Sequence, residues 1–277
     1  MMDDTGSTQS VRGQNEQKLY NELKSAVWLV RIETKDHTGI GTGFCIDRNG
    51  LIMTCAHCVS GNTCRVARQN DKDFQKAYLL HKIDSWDVAI LCLDEGLKQK
   101  GNVPNNYPSF ALAKHGTLNP GQGVYSISHQ HRLMYSFSSG KISYPSKNEV
   151  TPFGKMSSKS SEKKLPMDIP TKTSKYRTAS EISVSLDHHE DLPVIEMRNI
   201  HLGSGSSGGP IFLPTKEVVG MLSSGGLTRS YAVHLSALLI AFEEAKVKYD
   251  KLLEKLAAKG DEQFGQKSAD RENSNEN

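Results

Sequence analysis

Residues 203–210 read G-S-G-S-S-G-G-P, a tight glycine-rich turn with serines inside it. Glycine has no Cβ and reaches backbone conformations closed to other residues, so neighbouring N–H groups can turn inward at such a bend. A serine hydroxyl is a useful nucleophile only when a base takes its proton and backbone donors receive the developing oxyanion. The turn therefore predicts Ser207 as nucleophile and the N–H groups of Gly205 and Ser207 as oxyanion hole. Alone, the same letters also fit a flexible loop.

Two further motifs supply a base and an acid. The string T-C-A-H-C at 54–58 follows a strand-like apolar run, and W-D-V-A-I-L at 86–91 places an acid at the head of another. The order His57, Asp87, Ser207 is one of several chain orders in which a serine triad occurs. Asp84 is an alternative acid three residues earlier. We favour Asp87 because it immediately precedes the apolar strand.

With these motifs go T-G-I-G-T-G-F at 38–44, I-D-R-N-G-L-I at 46–52 and S-G-K-I-S at 139–143. The chain resembles the trypsin-like serine proteases, and the HtrA/Deg branch among them, over residues 25–240. The resemblance implies an all-β fold of two six-stranded antiparallel β-barrels of chymotrypsin type. It also implies a serine endopeptidase that cleaves polypeptide substrates through an acyl-enzyme, with no metal and no cofactor. Too few residues follow the second barrel for the PDZ module that HtrA proteins usually carry.

The expected organisation runs in five parts. Residues 1–16 are polar and without periodicity, so we expect them to be disordered. The first barrel covers 17–108 with His57 and Asp87, and the second covers 109–235 with Ser207. Apolar residues at heptad spacing predict a helix over 236–260, and a disordered tail covers 261–277. This helix either packs on the barrel or joins two copies into a homo-oligomer.

The resemblance also implies a substrate-binding set. A strand ending in a Ser-x-Gly triplet pairs with substrate backbone in trypsin-like enzymes, and three more residues fall around the specificity pocket. The set is Ser223, Ser224, Gly225, His201, Arg229 and Tyr231. One hypothesis is a pocket for an acidic or amide side chain, and the alternative is an aliphatic pocket of HtrA type. Ser206 stands where zymogen-activated trypsins have an aspartate, so we expect no activation cleavage and an oxyanion hole set by loops.

The five cysteines fall at 45, 55, 58, 64 and 92, an odd number that does not suggest a secreted disulfide framework. We expect free buried thiols. Two alternatives are a Cys45–Cys58 bridge, which the resemblance suggests, and zinc binding by Cys55, Cys58 and Cys64. His129 and His131 would share one side of a strand, but no third metal ligand is evident, so we expect a surface hairpin there.

The charge and the composition say less about function than the motifs do. The net charge of +3 over 277 residues is too small to name a partner. The insertion 145–180 is basic, since residues 141–180 hold nine Lys/Arg against three acids. It is either a solvated loop or a regulatory loop for an acidic partner. A binding-only or chaperone-like protein using this insertion is the alternative function.

The N-terminal residues lack the charged and apolar regions of a secretory signal, and no apolar run is long enough for a transmembrane helix. We therefore expect a cytoplasmic or nuclear protein without a membrane partner.

Overall fold

The computed structural model describes residues 5–33, 38–69, 71–94, 97, 106–114, 118–145, 194–200, 202–225 and 229–273. Within them the elements of the first half are α1 Thr5–Leu23, β1 Val27–Glu33, β2 Thr38–Cys45, β3 Leu51–Thr54, β4 Thr63–Ala67, β5 Gln75–Ile83 and β6 Val88–Leu93. Those of the second half are β7 Ala111–Leu112, β8 Gly123–Ser128, β9 Ser136–Tyr144, β10 Val194–Arg198, β11 Pro210–Phe212, β12 Glu217–Gly225, β13 Ser230–His234 and α2 Leu235–Asn273.

The first barrel closes in the order β1-β2-β3-β6-β5-β4, with every pairing antiparallel. All six residues of β6 are buried, as its unbroken apolar sequence predicts for a strand covered on both faces. The β2–β3 hairpin is tied at its turn by Asp47, whose Oδ1 accepts hydrogen bonds from the N–H of Asn49 and of Leu51. This hairpin ends at the segment that carries His57.

The second barrel runs β11-β8-β9-β10-β13-β12 and closes through the β11–β12 pairing. Its six strands are antiparallel, and β7 adds a short parallel pairing to β12. The prediction of two six-stranded antiparallel barrels followed by a C-terminal helix is confirmed.

The two barrels share a hydrophobic core. Phe44 packs edge-on against Phe110, with ring centroids 5.8 Å apart, and Phe110 lies 5.5 Å from Phe212 of the second barrel. Each of these side chains is almost fully buried. Aromatic side chains carry much of the burial energy of a core, so this stack holds the barrels together below the site.

The N-terminal helix is longer than the sequence predicts. α1 begins at Thr5, whereas the sequence analysis expected residues 1–16 to be disordered. Its last turns bury Leu19 and Leu23, and Tyr20 packs edge-on against Phe137 of β9. Once these turns are fixed, each residue added toward the N-terminus gains a helical hydrogen bond without a new nucleation cost.

The terminal helix also extends past its predicted end. α2 continues to Asn273 through Gly260, where the sequence analysis placed a stop and a disordered tail. A glycine inside a helix costs only about 1 kcal/mol, so it need not end one. Leu238, Ala245 and Tyr249 are buried against the strands, so the first half of α2 packs on the barrel.

Two further sequence predictions concern the basic insertion and membrane-spanning helices. Residues 146–193, which hold most of the basic insertion, lie outside the described residues. Among the helices that are described, none combines the length and the apolar character of a membrane span.

Candidate active site

His57 lies in a single 3₁₀ turn, Ala56–Cys58, directly after β3. The strand is fully buried, and the turn brings the chain out at its end, so the imidazole is the first side chain to reach solvent. About a third of it, 29 %, is exposed. A buried strand that ends in a partly exposed histidine holds the ring at a fixed place on an open surface.

Asp87 follows another 3₁₀ turn, Asp84–Trp86, and takes a left-handed conformation with φ 54° before β6 begins. Aspartate tolerates this conformation better than most side chains. His57 Nδ1 lies 2.9 Å from both carboxylate oxygens, and the His57 backbone N–H donates to Oδ1 at 3.1 Å. Asp84 instead pairs with Lys82 at the surface. The structure thus brings Asp87, not Asp84, to the imidazole.

The turn around Ser207 depends on two glycines with positive φ. Gly205 has φ 98° and Gly208 has φ 87°, values that other residues rarely adopt. A Cβ on Gly205 would stand 2.2 Å from the His129 carbonyl oxygen, and one on Gly208 would stand 2.0 Å from that of Thr42. Both positions therefore exclude any larger residue on grounds of space as well as conformation.

The N–H groups of Gly205 and Ser207 are oriented by the carbonyls at the other side of their peptide planes. In a trans peptide the C=O and N–H point in opposite directions. The Ser204 carbonyl accepts from His131 N–H at 2.7 Å, and the Ser206 carbonyl accepts from Gly209 N–H at 2.9 Å. Within the described part of the chain, the N–H groups of Gly205 and Ser207 themselves have no hydrogen-bond acceptor. They are two fixed and unused donors.

The Ser207 hydroxyl donates to the carbonyl of Ser223 at 3.4 Å. The Ser223 hydroxyl in turn donates to Asp87 Oδ2 at 2.6 Å. Among the described residues, no hydrogen bond joins Ser207 Oγ to His57. Ser223 thus connects Ser207 with the His57–Asp87 pair, because its carbonyl accepts from Ser207 and its hydroxyl donates to Asp87. The Ser207 hydroxyl points to Ser223 in this structure.

The electrostatics of the pair follow from burial and hydrogen bonding. Burial lowers the pKa of His57, but its hydrogen bonds with Asp87 and Cys58 outweigh burial, and the net pKa is raised. Burial raises the pKa of Asp87, but the bonds from His57 and Ser223 outweigh it, and the net pKa is lowered. Asp87 therefore stays ionised and favours a positive charge on the imidazole.

The segment after β8, which contains His129, packs against the nucleophile turn at Gly205. His129 is fully buried, with its Nδ1 accepting from Tyr135 N–H and its ring edge-on to the Tyr135 ring. Burial lowers the pKa of His129 to about 4, which keeps it neutral. The predicted surface hairpin at His129 and His131 is therefore wrong, because His129 is a core residue beneath Gly205.

All five cysteines are free and buried, as the sequence predicts. The alternative Cys45–Cys58 bridge is absent: the Cys45 thiol donates to the Asp47 carbonyl, whereas Cys58 lies beside Ser207, 3.8 Å from its carbonyl oxygen. Within the described residues, one group of side chains has the spacing of metal ligands, namely Cys55, His57 and Asp87. It differs from the zinc set considered from the sequence, and the His57–Asp87 hydrogen bonds already account for two of its members.

The predicted substrate-binding residues are only partly assembled. Ser224 and Gly225 pair with Tyr231 and Ser230 across the β12–β13 ladder, and a register shift leaves Ser223 out of it. Arg229 Nη1 lies 3.6 Å from Glu196 Oε1. His201 lies outside the described residues.

This geometry agrees with a comparison against protein families. The model of the trypsin-like peptidase domain matches residues 41–221, which include the His57 turn, Asp87 and the Ser207 turn. The chain belongs to the trypsin-like peptidase family.

Curated relatives of this trypsin-like peptidase are bacterial. It is 28 % identical over 197 residues to a probable periplasmic serine endoprotease, DegP-like, of Halomonas elongata, covering 71 % of this chain and 31 % of the relative. It is 23 % identical over 218 residues to a protein of the same description from Pseudomonas savastanoi pv. phaseolicola, covering 76 % and 36 %. The chain thus spans about a third of the length of the curated relatives it matches.

Solved structures agree on the fold. The serine endoprotease from Yersinia pestis superposes with a TM-score of 0.55 at 17 % identity, covering 88 % of this chain and 67 % of that one. The active form of the Rv3671c protease from M. tuberculosis superposes with a TM-score of 0.56 at 16 % identity, covering 81 % and 82 %. At such identities the likeness shows the two-barrel fold alone.

The relatives also correct one prediction. The prediction of a cytoplasmic or nuclear protein disagrees with both curated relatives, which are described as periplasmic. The intracellular assignment is therefore wrong. It was drawn from the composition of the first residues, which lie outside the part of the chain that the family match covers.

Three contributors to the site of this trypsin-like peptidase were missed by sequence reasoning. Thr42 of β2 donates its N–H to the Ser207 carbonyl and its hydroxyl to the Gly205 carbonyl. For Ser223, which the sequence predicts to bind substrate, the missed contact is the hydrogen bond from its hydroxyl to Asp87, and Glu196 forms an ion pair with Arg229. Each contact joins residues far apart in sequence, so no local motif signals it.

Proposed function

We propose that this trypsin-like peptidase is a serine endopeptidase that cleaves peptide bonds through an acyl-enzyme, with Ser207 as nucleophile, His57 as base and Asp87 as the orienting acid. The observation that carries the proposal is the connected chain of hydrogen bonds from His57 through Asp87 and Ser223 to Ser207. It spans both barrels and ends at two unused backbone donors. The His57–Asp87 pair matches the orienting half of a triad, and catalysis requires Ser207 Oγ to turn toward His57.

In the proposed mechanism, the Ser207 hydroxyl rotates from the Ser223 carbonyl to Nε2 of His57 when substrate enters. Hydrogen bonds of this kind are often long or misaligned until substrate is bound. His57 takes the proton as the hydroxyl attacks the peptide carbonyl, and it then protonates the leaving amine. Asp87 accepts hydrogen bonds from three donors, the His57 ring, the His57 backbone N–H and the Ser223 hydroxyl, and it keeps Nδ1 protonated and stabilises the imidazolium. Two of these donations come from His57 itself.

The oxyanion of the tetrahedral intermediate is proposed to lie between the N–H groups of Gly205 and Ser207. Donors that are oriented before reaction need no reorganisation as charge develops, which makes them effective in catalysis. Both peptide planes are held by bonds on their far sides, and Ser206 is buried with its hydroxyl accepting from Gly203 N–H. The absence of an aspartate at 206 is thus compatible with a formed hole.

For specificity we propose the aliphatic pocket over the acidic or amide one. Arg229, the cation that would attract an acidic side chain, is engaged by Glu196, whose side chain is only 11 % exposed. The two charges offset each other. Leu202 lies against Gly225, so that a Cβ on Gly225 would stand 2.4 Å from its Cδ1. A peptide library should show a small aliphatic preference, and a preference for Asp or Glu would contradict this pocket.

The substrate backbone is proposed to pair with residues 223–225. Ser224 and Gly225 use one edge of β12 for β13, and within the described residues the other edge has no strand partner at these positions. An extended peptide can add to such an edge by main-chain hydrogen bonds. Tyr231, opposite Ser224, would then lie near the peptide side chain, and His201 keeps only its sequence-based assignment.

The test is turnover of an unfolded protein or a fluorogenic peptide by wild type, Ser207→Ala and Ser204→Ala. Ser204 lies in the same turn with an exposed side chain, so it is a matched control. We expect Ser207→Ala to lose on the order of a million-fold in turnover, as for triads that act as a unit. Ser204→Ala should retain activity. Equal turnover by wild type and Ser207→Ala would remove the endopeptidase proposal.

The alternative function, a non-catalytic binding or chaperone-like protein, is separated by the same variants. Suppression of substrate aggregation that is unchanged in Ser207→Ala, with no turnover in wild type, would favour it. An acidic partner for the basic insertion stays a prediction, because 146–193 lie outside the described residues. Deleting 147–176 without change in partner binding would count against it.

A homo-oligomer through the terminal helix also stays a proposal. The face of α2 that carries Leu238 and Ala245 is already buried on the barrel. Among the described residues of α2, the large apolar side chains that stay exposed are Val247, Leu253 and Leu256, and the two leucines lie beyond the part that packs on the barrel. Gel filtration of wild type and of the double variant Leu253→Lys, Leu256→Lys tests it. A wild-type oligomer that becomes a monomer in the double variant supports the proposal. A wild-type monomer refutes it.

A further inference from the structure

We propose that Cys55 and Cys58 form a redox-active dithiol, which oxidation closes into a reversible disulfide around His57. The disulfide itself is independent of the reaction that the protein catalyses. Its effect on His57, argued below, rests on the proposed endopeptidase function.

The local backbone brings the two sulfurs together. Cys55 precedes the 3₁₀ turn Ala56–Cys58, and Cys58 N–H donates to the Cys55 carbonyl at 3.1 Å. In a 3₁₀ turn, side chains three residues apart eclipse each other. The two thiols lie close enough for each to shift the pKa of the other. A disulfide between them needs rotation of two side chains, while the backbone turn that it would close already exists.

Cys55 and Cys58 lie next to residues of the candidate active site. Cys55 Sγ donates to the Leu222 carbonyl at 3.2 Å, and Cys58 Sγ lies 3.8 Å from the Ser207 carbonyl oxygen. Cys58 also lies close enough to His57 for each to shift the pKa of the other. The sulfurs are buried and the imidazole beside them is partly exposed, so we infer that a peroxide reaches Cys58 alongside His57.

The other three cysteines differ in chemistry. Burial raises the pKa of Cys45 to about 12 and those of Cys64 and Cys92 to about 11, so these thiols stay protonated. The hydrogen bond from Cys55, aided by His57, lowers the pKa of Cys58 to about 6. Because the thiolate is the nucleophilic form, oxidation should select Cys58 and then its neighbour.

The oxidation balances with a hydroperoxide as the named oxidant. The Cys58 thiolate attacks one peroxide oxygen, the O–O bond breaks, and hydroxide leaves as a sulfenic acid forms on Cys58. Cys55 sulfur then attacks Cys58 sulfur, the S–O bond breaks, and a second hydroxide leaves. Two thiols and one hydrogen peroxide give one disulfide and two waters, with the thiol protons taken up by the hydroxides. A dithiol reductant reverses it.

The effect on His57 follows from charge. The titratable groups that shift the pKa of His57 are Asp87, from the head of β6, and Cys58, from its own turn, and Cys58 in turn interacts with Cys55. A thiolate at Cys58 favours the imidazolium, which cannot accept a proton from Ser207. A disulfide carries no charge, so oxidation releases His57 in its neutral form. In a plot of kcat/KM against pH, the rise on the acid side should then occur at lower pH.

Peptide mapping tests the disulfide. Cleavage after Arg48 and Arg65 gives fragment 49–65, which contains Cys55, Cys58 and Cys64. The map therefore uses full-length Cys64→Ser protein, whose fragment keeps only Cys55 and Cys58. Wild type is mapped in parallel by tandem mass spectrometry. After hydrogen peroxide in a chelator-containing buffer, we expect the fragment to lose two hydrogens and regain them with dithiothreitol. Cys55→Ala should not show this change. A fragment that keeps both thiols, or a disulfide at Cys45 or Cys92, would overturn the proposal.

The pH profile of kcat/KM tests the effect on His57. We expect the acid limb of oxidised enzyme to lie about one pH unit below that of reduced enzyme, giving about tenfold more activity on the acid side. Cys58→Ser should show the lower limb in both conditions. An oxidised enzyme with an unmoved limb would overturn the link to His57. If reduced wild type shows no Ser207-dependent turnover, the endopeptidase proposal fails, while the peptide map still decides the dithiol.

Discussion

At the scale of single residues, Thr42 connects more parts of the site than any residue that a motif identified. Its N–H holds the Ser207 carbonyl, its hydroxyl holds the Gly205 carbonyl, and the same hydroxyl accepts from His129 N–H. It is completely buried. Losing the hydroxyl would leave a buried carbonyl and a buried N–H without partners, a cost of about 1–3 kcal/mol for each.

We therefore expect Thr42→Val to lower the free energy of unfolding by roughly 2–4 kcal/mol and to reduce kcat/KM, because the Gly205 peptide loses its anchor. Thr42→Ser keeps the hydroxyl and is the matched control. Denaturant unfolding and peptide turnover on the three proteins measure both effects. Equal stability and activity for Thr42→Val and Thr42→Ser would contradict the role given to the hydroxyl.

Asp87 should control the pH dependence of activity. Its hydrogen bond raises the pKa of His57, and only the neutral imidazole can take a proton, so activity rises with pH as His57 loses its proton. Asp87→Asn removes the charge that favours the imidazolium, and the acid limb of kcat/KM should move to lower pH. Turnover should fall on the order of 10⁴-fold, as when a triad loses its acid. A profile measured between acidic and basic buffers checks the sign, and a limb that moves to higher pH would refute it.

At the scale of elements, the nucleophile turn depends on glycine for two separable reasons. Gly208 and Gly121 both have positive φ, 87° and 84°. A Cβ on Gly208 would meet the Thr42 carbonyl oxygen at 2.0 Å, whereas one on Gly121 would meet nothing within 4 Å. The pair therefore separates the cost of conformation from the cost of contact.

Gly121→Ala should cost about 1–2 kcal/mol of unfolding free energy, the penalty of a left-handed alanine, and leave turnover unchanged. Gly208→Ala should cost more than this and abolish turnover, because the turn must move away from β2. Thermal unfolding and peptide hydrolysis on the two variants give the comparison. The account of the turn does not survive if both variants lose the same stability and both stay active.

The terminal helix offers a second element-scale prediction. Leu238 is fully buried on the barrel, whereas Leu253, further along α2, is 36 % exposed. Leu238→Ala should lower the unfolding free energy by about 2–5 kcal/mol, the usual cost of a cavity. Leu253→Ala should change it by no more than about 0.5 kcal/mol. Equal losses, read from denaturant midpoints, would mean that α2 does not pack as described.

At the scale of the whole molecule, the site exists only where the two barrels meet. The first barrel supplies His57 and Asp87, and the second supplies Ser207 and Ser223. Hydrogen bonds from Thr42 to Ser207 and from Ser223 to Asp87 cross the seam, with the Phe110–Phe212 contact beneath them. The site is therefore complete only when the two barrels are docked.

The sequence predicted the parts of this arrangement that local patterns encode. The apolar run of β6, the glycines of the nucleophile turn and the histidine at the end of β3 each have a short signature. It did not predict contacts between distant residues, such as Arg229 with Glu196 or Cys58 with Ser207. The extent of α1 was missed for a related reason, since its packed turns at Leu19 and Leu23 depend on tertiary contacts rather than on the polar residues before them.

The most direct test of the central claim is to map the adduct of a fluorophosphonate, a reagent that reacts with activated serines. The account predicts a single labelled residue, Ser207, in wild-type protein, with labelling lost in His57→Ala and retained in Ser204→Ala. Tandem mass spectrometry of the labelled fragment identifies the serine. Labelling at another serine, or labelling of Ser207 that is equally fast in His57→Ala, would contradict the claim that His57 activates Ser207.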